Sequence, residues 1–399
     1  MGALSHLVVL DLSRVLAGPW CSQILADLGA EVIKVERPGT GDDTRAWGPP
    51  SLGGESAYYL SANRNKKSVA IDITRPEGQR LVRELAARAD IVLENFKVGG
   101  LARYGLDYET LKAVNPRLIY CSITGFGQEG PYAGRAGYDF LIQAMGGLMS
   151  MTGAADSEPG GGPQKVGVAL TDVMSGMYAA VAILAALAHR QQSGEGQYID
   201  IALLDVQVAC LANQAMNYLV SGVPPRRLGN AHPNIVPYQT FPTADGEMIV
   251  AVGNDSQFAK LCAVAGHPEW AADPRFAANE ERVRHRRELI PLLCAATVTR
   301  STASWVDALE AAGVPCGPIN DLEAVFADPQ VRHRKMSMTL PHPEAGAVPS
   351  VASPLRLSAT PVEYRRAPPL LGQHTDEVLG EKLGLAREEI ERLRADAVL

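Results

Sequence analysis

Short apolar runs alternate with helical segments along the first 125 residues, and this alternation restricts the fold more than any other feature. LVVLDL and EVIKVE, at residues 7–12 and 31–36, are rich in β-branched residues, and the segment between them has helical spacing with Pro19 near its start. The same order recurs in KSVAIDI, PEGQRLVRELAARA and DIVLENF, and then in YETLKAVNP and RLIYCSIT. Strands separated by helices form parallel sheets that are covered on both faces. We therefore predict an α/β fold whose large, Rossmann-like domain contains a parallel sheet.

The pattern changes near residue 222, and the chain is long enough for more than one compact core. A helix is predicted through VQVACLANQAMNYLV, residues 206–220, and the irregular stretch that follows gives way to shorter strand and helix signals. We predict that 1–222 is the first part of the large domain, 223–334 a small α+β domain, and 335–399 a return linker followed by the rest of the large domain. The amphipathic tail is expected to be helical and to pack on the body of the protein.

Composition excludes some classes of partner and compartment. The formal net charge of -7 has the wrong sign for nucleic-acid binding across the whole surface, so no nucleic-acid partner is predicted. Six scattered cysteines favour reduced thiols in a cytoplasmic protein. The apolar run 173–188 is shorter than the ~20 residues of a membrane span, so we predict a buried core helix and no membrane partner.

A single carboxylate, Asp172, stands directly before that apolar run. An acid at the start of a helix accepts backbone N–H bonds and complements the helix dipole, so the simplest interpretation is a helix cap. A nucleophilic or acid–base role is the alternative, and the residue types around Asp172 do not decide between them. The eight histidines are too dispersed to predict a metal site.

The glycine-rich stretch GFGQEG, Gly125 to Gly130, matches a dinucleotide-binding motif in letters but not in context. Pro131 and the glycines that follow deny it the helix whose N-terminus would hold a pyrophosphate. We expect these glycines to permit close approach of the backbone to a ligand or to neighbouring chain. Basic residues that follow predicted strands, Arg14, Arg37 and Lys97, are better candidates for meeting an anionic ligand.

A long, ordered set of motifs resembles one enzyme family. The set comprises DLSRVLAGPWCSQILADLGAEVIKVERPGTGDDTR, NRNKKSVAIDI, VLENFKVGGLARYGLDY, CSITGFGQEGPYAGRAGYD, VGVALTDVMSG, SGEGQYIDIALLD, GVPCGPIND and PLLGQHTDEVL. Together they resemble the class III coenzyme A transferases, the CaiB/BaiF family, and most of all the members that pair succinyl-CoA with a dicarboxylic acid. The resemblance implies an interlocked, ring-shaped homodimer. It also implies transfer of CoA from succinyl-CoA to an acid such as glutarate, with CoA and acyl-CoA as substrates and no tightly bound cofactor.

The resemblance also implies roles for individual residues. Asp172 matches the family's nucleophile, which forms a mixed aspartyl anhydride with the donor acyl group and then an aspartyl-CoA thioester. The positions that match the family's CoA contacts are Leu16, Ala17, Arg37, Ile71, Asp72, Ile73, Thr74, Asn95, Phe96, Lys97, Arg103, Ala136, Gly137, Tyr138 and Asp139. Arg37 and Arg103 are the expected phosphate partners. For the distal carboxylate of a dicarboxylic acid, the candidates are Arg45, Tyr138, Asn230, His232 and Gln239.

Other members of the family define the alternatives. The α-methylacyl-CoA racemases carry a histidine where this chain has Tyr138, and a phenol with a pKa of ~10 is poorly suited to move an α-proton at neutral pH. Formyl-CoA transferase has a glutamine at the position of Leu16, which makes formate a poor candidate. Itaconate, malate and carnitine-type acceptors, and a CoA-binding protein without turnover, remain open at this point.

Overall fold

A computed structural model describes residues 2–399, which form two compact units. The larger unit contains the residues up to Leu148, Val166–Met216 and Gln330–Leu399, and the smaller contains Met149–Lys165 and Asn217–Pro329. The smaller unit thus includes a segment, 149–165, that the sequence prediction assigned to the large domain. The boundaries at 222 and 334 remain predictions for the limits of the small domain.

A six-stranded sheet forms the centre of the larger unit. The first eight strands are β1 (Val8–Asp11), β2 (Glu31–Glu36), β3 (Ser51–Leu52), β4 (Glu55–Ser56), β5 (Lys66–Ala70), β6 (Ile91–Glu94), β7 (Ile119–Thr124) and β8 (Tyr198–Ala202). Six of these strands form the sheet, in the order β5-β2-β1-β6-β7-β8, and every neighbouring pair is parallel. The strands β3 and β4 pair separately with each other. The predicted α/β fold with a parallel sheet is confirmed. The strand order reverses between β1 and β6, which is where open α/β sheets bind ligands.

Helices cover both faces of this sheet, as the buried apolar strands require. The first eight are α1 (Ala17–Asp27), α2 (Ala57–Ser61), α3 (Pro76–Ala86), α4 (Tyr108–Val114), α5 (Asp139–Met145), α6 (Leu148–Met151), α7 (Leu170–Ser193) and α8 (Leu203–Ala209). One apolar core packs α1 and α7 against the sheet through residues such as Cys21, Leu25 and Ile183. The other contains Leu81 and Val82 of α3, where Pro76 at the first helical position starts the helix.

The apolar helix α7 is longer than the sequence prediction allowed. It has 24 residues, and of the described helices it alone is long and apolar enough to cross a membrane by length and composition. The argument from a short apolar run was therefore wrong, because Leu170 and polar residues up to Ser193 extend the helix beyond the run. One face, with Gly176, Ala179 and Ile183, is buried against α1 and the sheet. That face makes α7 a core helix of the larger unit.

The smaller unit contains a three-stranded antiparallel sheet with helices around it. Its strands are β9 (Tyr238–Pro242), β10 (Glu247–Ala251) and β11 (Cys316–Pro318), in the order β11-β10-β9. The next helices along the chain are α9 (Ala212–Ser221), α10 (Asp255–Val264), α11 (Asn279–Arg284), α12 (Arg286–Thr297), α13 (Thr302–Ala311), α14 (Leu322–Ala327) and α15 (Pro329–His333). The single helix predicted for 206–220 is wrong, because residues 210 and 211 form a turn between α8 and α9, and Ala212 begins α9 with a φ of 45°.

The chain returns to the larger unit at its C-terminal end. The hairpin strands β12 (Ser337–His342) and β13 (Gly346–Val351) precede the helices α16 (Thr375–Leu383) and α17 (Arg387–Ala395). Val378, Leu379, Ile390 and Leu393 of these helices are buried in the same core as α3. The predicted packing of the helical tail on the body is therefore confirmed, although Gly384, with a φ of 71°, divides it into two helices.

Candidate active site

Two adjoining cavities lie at the carboxyl ends of the strands, at the point where the strand order reverses. One, of about 500 Å³, is lined by residues that follow β1, β6 and β7, among them Leu16, Lys97 and Gly125, and it includes Asp172. The other, of about 310 Å³, is lined by residues that follow β2 and β5. They share Arg14, Asp43, Phe96 and Arg103, so we treat them as one switch-point groove. Together the two cavities have room for a ligand larger than a metabolite of a few carbons.

Asp172 lies in the first turn of α7, in the wall of the switch-point groove, and is 8% exposed. The helix does not begin at Asp172 but at Leu170, and its N-terminus is capped from another helix. Asp139 of α5 accepts hydrogen bonds from the N–H groups of Thr171, at 2.8 Å, and of Asp172, at 3.4 Å. The cap interpretation of Asp172 is therefore wrong, because Asp139 does the capping and leaves the Asp172 carboxylate free for another purpose.

Burial, and secondarily the nearby Asp139 carboxylate, raises the pKa of Asp172 from 3.8 to about 7. The helix dipole favours the ionised form, but burial without a cationic partner outweighs it. The expectation that the helix end keeps Asp172 fully ionised at neutral pH is therefore corrected: near pH 7 the protein contains both forms. A carboxyl group with such a pKa at a ligand groove is typical of a reacting group.

The basic residues of the groove lie where an extended anion would meet them. Arg37 is in the cavity beyond β2, Lys97 is in the cavity with Asp172, and Arg103 lines both. Arg14 also lines both cavities, packs over the ring of Phe96, and pairs with Asp43 at 2.9 Å with both side chains about half exposed. The groove therefore presents cationic groups at several points along its length, although the carboxylates of Glu36, Asp42, Asp43 and Asp72 also line the cavity beyond β2.

Most residues predicted to contact CoA are brought together in this groove. Those in the cavity with Asp172 are Leu16, Ala17, Asn95, Phe96, Lys97, Arg103, Ala136, Gly137 and Tyr138, and those in the other cavity are Arg37, Ile71, Asp72, Ile73 and Thr74. Asp139 is not part of the lining of either cavity, because its side chain is turned to the start of α7 and to the amide of Gln143. The grouping follows from the parallel topology, since all these segments leave the sheet at the same edge.

The candidates for a distal carboxylate belong to different units of the chain. Arg45 is buried in the larger unit, where it donates to Glu36 at 2.7 and 2.8 Å, to Glu55 and to the hydroxyl of Tyr59. With its guanidinium satisfied in this way, Arg45 is a structural ion-pair partner, which corrects its assignment as a substrate ligand. Asn230, His232 and Gln239 lie in the smaller unit, and their role stays a prediction. Tyr138, which is 62% exposed, is in the wall with Asp172.

The glycine-rich loop after β7 approaches neighbouring chain. A Cβ atom at Gly125 would lie 2.5 Å from the Cα of Gly137, and one at Gly137 would lie 2.4 Å from the Cα of Gly125. The two glycines therefore allow two backbone segments to pack directly on each other beside Tyr138 and Asp139. This contact, and not a pyrophosphate, accounts for these two glycines, and it holds the segment that caps α7 against the end of β7.

Sequence reasoning missed Tyr58 of α2. Burial, and then the charges of Asp172, Asp139 and Asp42, raise the pKa of Tyr58 to about 12, which places its hydroxyl near the nucleophile candidate. The ring packs edge to face with Trp47, at 5.2 Å between centroids. Tyr58 was not predicted because it lies in a short segment with no motif, more than 100 positions from Asp172 in the chain. Asp139 was predicted to contact CoA, but its capping of α7 was not predicted.

The pH dependence of the reaction tests the effect of Asp139 on Asp172. The family resemblance implies that the ionised Asp172 carboxylate is the reactive form, so we expect kcat/KM for an acyl-CoA donor to rise with pH through a midpoint near 7. Asp139→Asn keeps an oxygen that can cap Thr171 but removes the negative charge, so the midpoint should move to lower pH. Measured pH–rate profiles of both proteins check this. Coincident midpoints would show that Asp139 does not influence the ionisation of Asp172.

The chain belongs to the CoA-transferase family III, whose family model matches residues 4–375. It is 54% identical over 384 residues to a succinate–glutarate CoA-transferase of Agrobacterium fabrum, covering 95% of both chains. It is 48% identical over 375 residues to the human succinyl-CoA:glutarate CoA-transferase, covering 94% of this chain and 85% of that one. The crystal structure of a CaiB/BaiF family protein from Brucella suis has a TM-score of 0.84 and 50% identity, covering 96% and 99% of the chains. The protein is therefore an enzyme of this family, as the sequence motifs predicted.

Proposed function

We propose that the protein transfers CoA from succinyl-CoA to a dicarboxylic acid, with glutarate as the first acceptor to test, and that Asp172 is its nucleophile. The observation that carries the proposal is a buried carboxyl group with a pKa of about 7 in the wall of a groove that also presents Arg37, Lys97 and Arg103. The relatives named above supply the donor and the acceptor. The groove supplies space for an extended anionic donor at the sheet edge that contains most of the family's CoA contact positions.

The proposed reaction uses one carboxylate twice. The ionised Asp172 attacks the thioester carbonyl of succinyl-CoA, the carbon–sulfur bond breaks, and a mixed anhydride and the CoA thiolate result. The thiolate attacks the aspartyl carbonyl of the anhydride and releases succinate, which leaves a thioester between Asp172 and CoA. Glutarate attacks this thioester and forms a second anhydride, from which the thiolate takes the glutaryl group and regenerates Asp172. No external oxidant, reductant or metal enters these steps.

The surroundings of Asp172 suit this chemistry. A carboxylate is a weak nucleophile, and partial desolvation increases its reactivity while limiting hydrolysis of activated acyl groups. Each tetrahedral intermediate also carries an oxyanion that needs hydrogen-bond donors already in place. The first-turn N–H groups of α1 have no side-chain cap, and its cap residue Leu16 and first residue Ala17 line the cavity with Asp172. These backbone groups are the donors that we propose.

The direct test is an assay of purified protein with succinyl-CoA and glutarate, with glutaryl-CoA measured by mass spectrometry. Glutaryl-CoA should form together with an equal amount of succinate, and acetate should be a poor acceptor in the same assay. Absence of glutaryl-CoA, with efficient transfer to itaconate or malate, would retain the transferase but replace the acceptor. Absence of transfer to any acid would contradict the proposed function.

The groove charges predict how the donor binds. Arg103→Gln should raise KM for succinyl-CoA about tenfold with little change in kcat, because one charge-assisted hydrogen bond to a phosphate contributes ~1.5 kcal/mol. Arg387→Gln is the matched control, since the Arg387 side chain is 88% exposed and, among the described residues, pairs only with Glu391 along α17. Steady-state kinetics with succinyl-CoA and with its 3′-dephospho analogue show which phosphate Arg103 meets. Equal KM values for Arg103→Gln and the control would remove Arg103 from the binding site.

The isomerase alternative has a separate signature. An α-methylacyl-CoA racemase exchanges the α-proton of its substrate, which requires a group beside Asp172 that titrates near neutrality. Tyr138 lines that cavity in the place of the racemase histidine. Incubation with succinyl-CoA or a 2-methylacyl-CoA in D₂O, without an acceptor acid, should therefore give no deuterium at the α-carbon. Rapid incorporation would favour the isomerase.

We also propose a homodimer in the cytoplasm, of the interlocked form that the family resemblance implies. In support, α7 of the larger unit exposes apolar side chains such as Val181, which is 64% exposed, and Met177, which is 46% exposed. A second copy of the chain is the occupant that we propose for this face. The six cysteines are free thiols, and three of them are buried, which suits a reducing compartment. Light scattering of the purified protein tests the dimer, and a mass of 42.5 kDa would contradict it.

A further inference from the structure

Val15, between β1 and α1, has a backbone conformation that β-branched residues avoid. Its φ is 70°, in the left-handed region, where the Cβ atom crowds the backbone. Among the described non-glycine residues with positive φ, Val15 alone is β-branched. A residue in such a conformation persists only where the surrounding structure holds it, and strained residues of this kind concentrate at functional sites.

Three side chains, two from β2 and the loop that follows it and one from the end of β6, hold the Ser13–Val15 turn. The amide of Asn95, after β6, accepts a hydrogen bond from the N–H of Arg14 at 2.9 Å and donates one to its carbonyl at 2.7 Å. Asp42 accepts from the N–H of Val15 at 3.2 Å, and Lys34 donates to the carbonyl of Ser13 and to Asp42, each at 2.8 Å. The turn is therefore fixed by hydrogen bonds from the Ser13 carbonyl up to the N–H of the strained residue itself.

The Asp42 anchor remains charged throughout the working pH range. Burial by itself would raise the pKa of Asp42, but the Lys34 ammonium and the hydrogen bonds from Thr44 lower it to about 2. Lys34 and Asp42 are fully buried as an ion pair at 2.8 Å. Asn95 is different, because it is only partly buried and uncharged. It is therefore the anchor that can be removed without leaving an unpaired charge in the core.

The turn leads directly into the start of α1. Leu16 is the cap residue of that helix and makes no side-chain cap, so the first-turn N–H groups depend on the turn for their direction. Leu16 and Ala17 line the same cavity as Asp172, whose carboxylate accepts no hydrogen bond from any described residue and is 8% exposed. An unpartnered buried carboxylate beside uncapped N–H groups is where an oxyanion of the proposed reaction would form.

We propose that Asn95 is a positioning residue for the transfer reaction: by clamping Arg14, it holds the strained Val15 so that the first-turn N–H groups of α1 are directed at the reacting carbonyl beside Asp172. The inference rests on the proposed function and adds to it. The family resemblance places Asn95 among the direct CoA contacts. In the structure its amide group makes two hydrogen bonds to Arg14 instead, and this difference makes the proposal testable.

Without Asn95, Val15 can relax to negative φ and carry Leu16 and Ala17 with it. Glycine adopts a φ of 70° without the Cβ conflict, so with glycine at position 15 there is no strain to release. Asp42 and Lys34 then still hold the turn through Val15 N–H and the Ser13 carbonyl. The two substitutions should therefore be coupled: loss of Asn95 should matter most when residue 15 is valine.

The experiment is a double-mutant cycle of Asn95→Ala and Val15→Gly, with Val15→Ala as a second background if the glycine variant folds poorly. The rate measured is single-turnover formation of the hydroxylamine-sensitive adduct from saturating succinyl-CoA. Asn95→Ala should lower this rate by about 30-fold with valine at position 15 and by about threefold with glycine, since small displacements of positioned groups have effects of this size. KM for succinyl-CoA should change little.

Asn115→Ala is the matched control, because the Asn115 amide likewise accepts from a backbone N–H, that of Arg117, and donates to backbone carbonyls, those of Ala86 and Ala89, but away from the groove. It should leave the single-turnover rate unchanged. An equal loss from Asn95→Ala in both backgrounds, or a rise in KM with an unchanged single-turnover rate, would overturn the inference and return Asn95 to direct CoA binding. If the unsubstituted enzyme forms no adduct at all, the proposed function fails, and that result is distinct from a failure of the clamp.

Discussion

Asp172→Ala is expected to lower the rate of CoA transfer by at least about 1,000-fold, because loss of a covalent nucleophile removes the reaction path and not just one stabilising contact. CoA binding should persist, since the basic residues of the switch-point groove lie on other segments. The measurement combines the transfer assay with mass spectrometry of protein incubated with succinyl-CoA and then hydroxylamine. The unsubstituted enzyme should carry a modification at Asp172, and the variant none.

Removing the charge at position 172 should also make the folded protein more stable. The folded-state pKa of Asp172 is raised from 3.8 to about 7, so the native protein holds this proton more tightly than the unfolded chain does. Stability from this group is present at low pH and is lost as pH rises through about 7, where burial of the charge becomes unfavourable. Asp172→Asn should therefore increase the free energy of unfolding at pH 8, on the order of 2–4 kcal/mol, with a smaller gain at pH 5. Activity near the normal level in Asp172→Ala or in Asp172→Asn would refute the assignment of Asp172 as the nucleophile.

Gly176→Ala is expected to destabilise the protein by about 2 kcal/mol, a typical effect of overpacking a close helix contact. A Cβ atom there would lie 2.6 Å from the carbonyl oxygen of Ala17 and 3.2 Å from the backbone nitrogen of Cys21. Because both neighbours are backbone atoms of α1, the two helices must separate. Ala17 and Asp172 line one cavity, so the separation should also lower the transfer rate, by about tenfold or more.

Gly380→Ala provides the matched control within a helix. The nearest atom to a Cβ at that position, the carbonyl oxygen of Leu385, is 4.0 Å away, so the added methyl group fits. Replacing a helical glycine by alanine without a clash should stabilise α16 by up to about 1 kcal/mol and leave transfer unchanged. Denaturant unfolding and the transfer assay compare the two variants. Similar stability of the two would show that α1 and α7 can adjust their spacing without cost.

Local patterns were sufficient for the sheet but not for every helix. Short apolar runs rich in β-branched residues predicted the strands β1, β2, β5, β6 and β7 of the sheet, and β2 has the bounds that its sequence pattern indicated, Glu31–Glu36. The break between α8 and α9 was missed because a positive φ at Ala212, a residue that normally favours helix, has no local sequence signal. The length of α7 was underestimated because polar residues continue the helix past its apolar run.

Parallel topology explains why the candidate groove was largely predictable. Segments that follow parallel strands meet at one sheet edge, so Arg14, Arg37 and Lys97 were expected to lie where an anionic ligand binds before any distance was known. The same rule does not say which of these side chains remain available to bind a ligand. Arg45 resembled an available cation in the sequence, yet Glu36, Glu55 and Tyr59 engage its guanidinium in the folded protein. Asn95 resembled a ligand contact, yet its amide holds Arg14.

The sequence by itself determined the family, the parallel α/β framework and the edge at which the groove lies, because periodicity and motif order are written locally along the chain. Only the tertiary structure decided the ionisation of Asp172 and the hydrogen bonds around it. Asp139 caps α7 from 33 positions away, and the raised pKa of Asp172 comes from burial by segments spread across the larger unit. Desolvation and charge proximity depend on distances between residues remote in sequence, and those distances exist only after the chain has folded.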